Sequence, residues 1–176
     1  MEVEREAVSQ QPTPETSPDS SPQPTPDSSP DSNPDSSSKP FSVGISVRGY
    51  ETDSQGHLNQ SVYLQYAEHA RWSALRAAGI EQRDLIGKGV GPVALENTVR
   101  YRSELRAGDE VEVTCQFVWG ERKTFRIEQT VVRADGQVAA TVSALGGLLD
   151  LKERRMVAEP KEYFRALASD PRVLGL

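Results

Sequence analysis

The run ETDSQGHLNQ, residues 51–60, gathers the side chains of this 176-residue chain whose types best suit chemistry: Asp53, His57 and Asn59, set around Gly56. A carboxylate can attack an electrophilic carbon or take a proton from water, and an imidazole can carry a proton near neutral pH. Gly56 lets a ligand come close to the backbone, and a backbone N–H can stabilise a developing negative charge. Each residue also has a plainer use. Asp is a turn former that is stabilised near a helix start, Asn caps helices, and a histidine at such a place can simply pack at a sheet edge. By type alone, the run is a hinge or a site.

Other chemistries drop out. The chain has neither a glycine-rich phosphate loop nor a serine nucleophile elbow. Cys115 is the single cysteine, so no intrachain disulfide can form, and one thiol with His57 and His69 makes a poor zinc site. No metal centre is expected.

Two elements must hold the run in place. Before it, Phe41, Val43, Ile45 and Val47 alternate with Ser42, Gly44, Ser46 and Arg48, the pattern of a strand with one buried face. After it, residues 60–78 change to helical spacing, with Val62, Tyr63, Tyr66, Ala67, Ala70, Ala74, Ala77 and Ala78 on one broad face and Gly79 as the stop. Four alternating segments follow, built on Val93 to Tyr101, Val111 to Trp119, Phe125 to Val131 and Val138 to Leu148. WGERK and ADGQ supply turns between them, and a short last helix is expected over 160–168. The order suits an α+β fold in which a curved antiparallel sheet of about five strands wraps one long helix.

Composition divides the chain. Residues 1–40 hold nine of the twelve prolines and repeat a Ser-Pro-Asp theme, so they are expected to stay disordered. That tail carries eight acids and two bases, which accounts for the whole net charge of -6; residues 41–176 carry eighteen of each sign. A neutral domain with no basic stripe gives no sign of nucleic-acid binding. No apolar run approaches a membrane span, no export signal is evident, and a cytoplasmic chain is expected.

With these residues in order, the stretch VRGYETDSQGHLNQSVYLQYAEHARW and the later VRYRSELRAGDEVEV resemble the hotdog-fold thioesterases. The branch is that of 4-hydroxybenzoyl-CoA thioesterase and other acyl-CoA thioesterases, with a more distant likeness to plant acyl-carrier-protein thioesterases. The resemblance implies that Asp53 acts on a thioester, as nucleophile or as general base. It implies that N–H groups around Gly56 and His57 receive the oxyanion, with His57 lining the site and Asn59 holding the turn. It implies an acyl-CoA substrate, no cofactor, and a homodimer or homotetramer in which a second copy completes the pocket.

Four further residues are candidates for the substrate. Tyr63 would line an acyl pocket or simply pack in the core. Glu68 is weighed because some hotdog thioesterases place their acid on the helix rather than in the loop, although an ion pair with Arg71 is the plainer use. Arg100 and Arg102 would meet coenzyme A phosphates or lie on a solvated strand face. The rival functions are a carrier-protein thioesterase and a non-catalytic acyl-CoA-binding module.

Overall fold

The computed structural model describes residues 39–176, so the expected disorder of residues 1–40 falls, except at 39 and 40, outside the described residues. The elements run β1 (Phe41–Ser46), α1 (Val62–Ala77), α2 (Gln82–Gly87), β2 (Val90–Tyr101), β3 (Glu110–Trp119), β4 (Thr124–Arg133), β5 (Val138–Asp150), β6 (Arg155–Met156) and α3 (Pro160–Leu167). One antiparallel sheet has the order β1-β3-β4-β5-β2, and the two-residue β6 pairs with the end of β5. Connections are short except for β1 to β2. That connection carries α1 and takes β2 to the edge opposite β1.

The long helix is held by its apolar face. Val62, Tyr63, Tyr66, Ala67, Ala70, Ala74 and Leu75 are buried, and alanine at three successive contact turns lets the axis lie close to the sheet. The expected face also included Ala77, which is exposed, and left out Leu75, which is buried; Ala78, expected on that face, is buried just past the last turn. The inward side of α1 therefore rotates along its length, as it must when a twisted sheet crosses it. Gly79 ends the helix in the left-handed region at φ 83°, where a Cβ would also collide with Ser169.

One polar side chain enters this core. Gln129 of β4 is only 2% exposed, at an inward position between Ile127 and Val131. Its Nε2 donates to the Ala67 carbonyl at 2.8 Å, and its Oε1 accepts from Arg71 Nε at 2.8 Å, so both ends of the amide are satisfied. Arg71 also reaches Asn97 on β2, at 3.2 Å. The expected Glu68–Arg71 ion pair is absent among the described residues; buried amide oxygen outcompetes an exposed carboxylate for this guanidinium.

β2 departs most from expectation. It starts at Val90, behind the unforeseen α2, and a register shift between Ala94 and Glu96 puts a bulge at Leu95. Leu95 and Tyr101, expected on a buried face, are 54% and 51% exposed. A bulge turns following side chains over, and an edge strand has a neighbour on one side only. No helix of the described residues is long and apolar enough to cross a membrane.

Candidate active site

The run 51–60 forms a closed turn between β1 and α1, anchored from below by a buried acid. Glu51, 8% exposed, accepts from Tyr66 Oη at 2.5 Å, from the Arg48 backbone N–H at 2.8 Å and from Arg48 Nη1 at 3.0 Å. Burial by itself would raise its pKa, but these three donors prevail and hold the carboxyl below its ordinary range. Burial and the same contact raise the Tyr66 phenol. The Glu51 carbonyl in turn accepts the Asn59 N–H at 2.9 Å, so both ends of the run are tied together.

Asp53 sits at the head of the turn. Its Oδ1 accepts the Gln55 N–H at 2.8 Å and the His57 N–H at 3.2 Å, while its backbone N–H donates to the His57 carbonyl at 2.8 Å. Its other oxygen, Oδ2, takes no hydrogen bond among the described residues. Gly56 has φ 77°, which an L side chain rarely adopts, and its N–H donates to the Asp53 carbonyl at 3.0 Å. The two N–H groups expected to face an oxyanion are thus turned onto Asp53. The Gln60 N–H, between the engaged N–H groups of Asn59 and Ser61, has no partner among the described residues.

Asn59 is the holding residue its type suggested. Its Oδ1 accepts from the Ser61 N–H at 3.0 Å and the Ser61 hydroxyl at 2.9 Å, and its carbonyl takes the Val62 N–H at 2.9 Å as α1 begins. These bonds satisfy donors that every helix start leaves open.

Asp53, His57, Asn59, Gln60, Tyr63 and Arg102 line one open cleft of about 570 Å³, together with Tyr101, Ser103 and Glu104. The Tyr63 and Tyr101 rings meet edge to face with centroids 5.1 Å apart, and the Tyr101 hydroxyl donates to the Gln60 carbonyl at 3.1 Å. Burial, with Tyr101 and Asp109 nearby, pushes the Tyr63 phenol up to about 12. The Arg102 guanidinium makes no ion pair among the described residues.

Not every candidate joins this cleft. Arg100 is exposed on β2 and does not line it. Glu68 lies further along α1, exposed, at a separate cavity of about 120 Å³ with Arg71, Trp72, Phe117, Phe125 and Phe164. The sequence reading passed over Gln60 and Glu104. Gln60 closes the run among side chains of more reactive type, and Glu104 stands past the end of β2, where neither periodicity nor a motif marks it. Cys115 is buried, and burial pushes its thiol up to about 12, which suits inert packing. Among the described residues no group of three or more His, Cys, Asp or Glu could hold a metal ion.

The chain thus joins a helix wrapped by a single antiparallel sheet to an acid-bearing turn at the helix start. Residues 47–167 match the model of the Thioesterase-like superfamily, and the chain belongs to that family. Among its relatives is the L-carnitine dehydrogenase/betainyl-CoA thioesterase of Agrobacterium fabrum, 28% identical over 121 residues, or 69% of this chain. The chain spans only 25% of that protein's length. The long-chain acyl-CoA thioesterase FadM of Escherichia coli is 28% identical over 115 residues, 65% of this chain and 86% of FadM. A 1,4-dihydroxy-2-naphthoyl-CoA thioesterase of Synechocystis superposes with a TM-score of 0.67 over 73% of this chain and 96% of its own; at 18% identity it speaks for the fold.

Proposed function

We propose that the protein hydrolyses an acyl-CoA thioester to the free acid and coenzyme A, with Asp53 acting on the thioester carbonyl as nucleophile or as base for water. The observation that carries this is the state of one carboxylate. Its Oδ1 is fixed by two N–H groups of its own turn, and its Oδ2 has no partner among the described residues in a cleft that also holds a histidine. A thioester has a good leaving group, so a carboxylate of modest basicity suffices to start its hydrolysis.

The surrounding residues take roles that follow from their positions. The Gln60 N–H, at the positive end of the α1 dipole, is the donor for the carbonyl oxygen as it gains charge. Arg102 is the cation for coenzyme A phosphate, and Tyr63 presents a ring to the acyl portion. The reaction uses water and no cofactor. A second copy would complete the pocket: β2 is a sheet edge with Leu95 exposed, and an uncovered edge of this length favours pairing. The active form is then a homodimer or a pair of dimers, working in the cytoplasm.

Turnover on matched acyl-CoA and acyl-carrier-protein thioesters tests the substrate. Faster release from the coenzyme A form is expected. A strong preference for the carrier protein would reassign the cleft, and binding with no hydrolysis of either would make the protein a sensor or scaffold.

A further inference from the structure

Arg106, Glu104 and His57 form a line of polar contacts, the last two on the cleft wall, to which the proposed reaction gives no role. Arg106 donates to Glu104 Oε1 from Nε at 3.1 Å and from Nη2 at 2.8 Å. The other oxygen, Oε2, stands 2.9 Å from His57 Nε2. The main chain reinforces the line: His57 and Arg106 form an isolated antiparallel bridge, and the Leu58 N–H donates to the Leu105 carbonyl at 2.7 Å. Glu104 is thus aimed from one side and engages the imidazole on the other.

Building on the thioesterase reading, we propose that Glu104 is a positioning residue that fixes His57 as the base of the hydrolysis, which leaves Asp53 as the nucleophile. A base oriented by a carboxylate on its far nitrogen is a general arrangement for proton transfer. A carboxylate only accepts, so the proposed pairing has the neutral ring with its proton on Nε2 toward Glu104 and its lone pair on Nδ1. The other charged or titratable groups around His57 are Asp53 on its own turn, Arg106 beside Glu104, and Arg102, Tyr63 and Tyr101 around the cleft. Among the described residues only Glu104 contacts a ring nitrogen.

The steps balance. Asp53 Oδ2 bonds to the acyl carbon, the C–S bond breaks, and coenzyme A leaves as the thiolate. His57 Nδ1 then takes a proton from a water whose oxygen adds to the acyl carbon. The bond to Asp53 breaks, releasing the acid and restoring the carboxylate, and the imidazole passes its proton to the thiolate. One thioester and one water become one acid and one thiol. The side chains of His57 and Glu104 are 31% and 48% exposed, so the pair adds little to stability and its effect is orientation.

The test is steady-state kinetics of the full chain on one acyl-CoA, comparing Glu104→Gln, Glu104→Asp, His57→Ala, the His57→Ala/Glu104→Gln double variant and Asp53→Asn. His57→Ala should lower kcat by about a hundredfold or more, and added imidazole should restore part of the rate. Glu104→Gln should lower kcat by up to about a hundredfold with KM almost unchanged, and Glu104→Asp should recover part of that loss. The double variant should be no slower than His57→Ala, because Glu104 acts only through the ring. Losses that multiply in the double variant, or a His57→Ala enzyme with wild-type kcat, would overturn the inference. An inactive Asp53→Asn beside fully active His57→Ala and Glu104→Gln would sink this inference alone. A fully active Asp53→Asn would sink the thioesterase assignment to Asp53 with it.

Discussion

At the scale of single residues, Asp53 is a scaffold of its turn, and its proposed chemical role is added to that structural one. Asp53 binds two N–H groups of its own loop through Oδ1, and this is the turn-forming use its type suggested. Because these bonds fall on Oδ1, Oδ2 stays without a partner among the described residues, as the proposed chemistry requires. Two residues earlier, Glu51 does only the first job. Its carboxyl is held below the ordinary value of 4.5 by Tyr66 and Arg48 against the opposing effect of burial. A group with a depressed folded pKa contributes stability that is present above its unfolded pKa and is lost as the pH falls through the folded value. Glu51→Gln should therefore lower the melting temperature near neutral pH and flatten its fall below about pH 4.5. Thermal melts of both proteins from pH 7 to pH 3 would show it, and parallel curves would contradict it. The sequence made Asp53, His57 and Asn59 visible because their types cluster. Glu51 looked like any loop acid, since its partner Tyr66 is fifteen residues away and burial is a tertiary fact.

At the scale of elements, α1 and the sheet are joined by packing and by one polar link. Gln129 bonds the Ala67 carbonyl and Arg71 from a position that alternation alone assigns to the core. Replacing it with leucine keeps the volume but takes the acceptor from the Arg71 Nε and the second donor from the Ala67 carbonyl, which keeps its helical bond. The cost expected is about 1–3 kcal/mol, read as a lower denaturant midpoint at unchanged slope; an unaltered midpoint would show that water takes over both partners. The strands β3, β4 and β5 were legible because they lie inside the sheet and alternate cleanly. In β2 the pattern failed for a physical reason: a bulge at Leu95 shifts the parity, and the edge position leaves its far half exposed. The short helix α2 and the two-residue β6 have too few residues to show a period at all.

At the scale of the whole molecule, everything the proposal needs lies within residues 41–176, from β1 to the C-terminal turn. Removing residues 1–38 should leave kcat and KM unchanged within about twofold, the reproducibility of such assays being far smaller than one tenfold step of about 1.4 kcal/mol. A large loss would give the tail a part in catalysis. Association through the open edge is testable in the same way, with Leu95→Arg expected to shift sedimentation from dimer to monomer and to lower turnover together. A variant that stays a dimer would move the interface elsewhere. The central claim is that Asp53 performs thioester chemistry, and its most direct test is hydrolysis across aromatic, short, medium and long acyl-CoAs by the wild-type chain and by Asp53→Asn. The account predicts that the wild type turns over at least one class, and that the folded Asp53→Asn variant loses at least about a hundredfold on that class; near wild-type turnover by Asp53→Asn would contradict it.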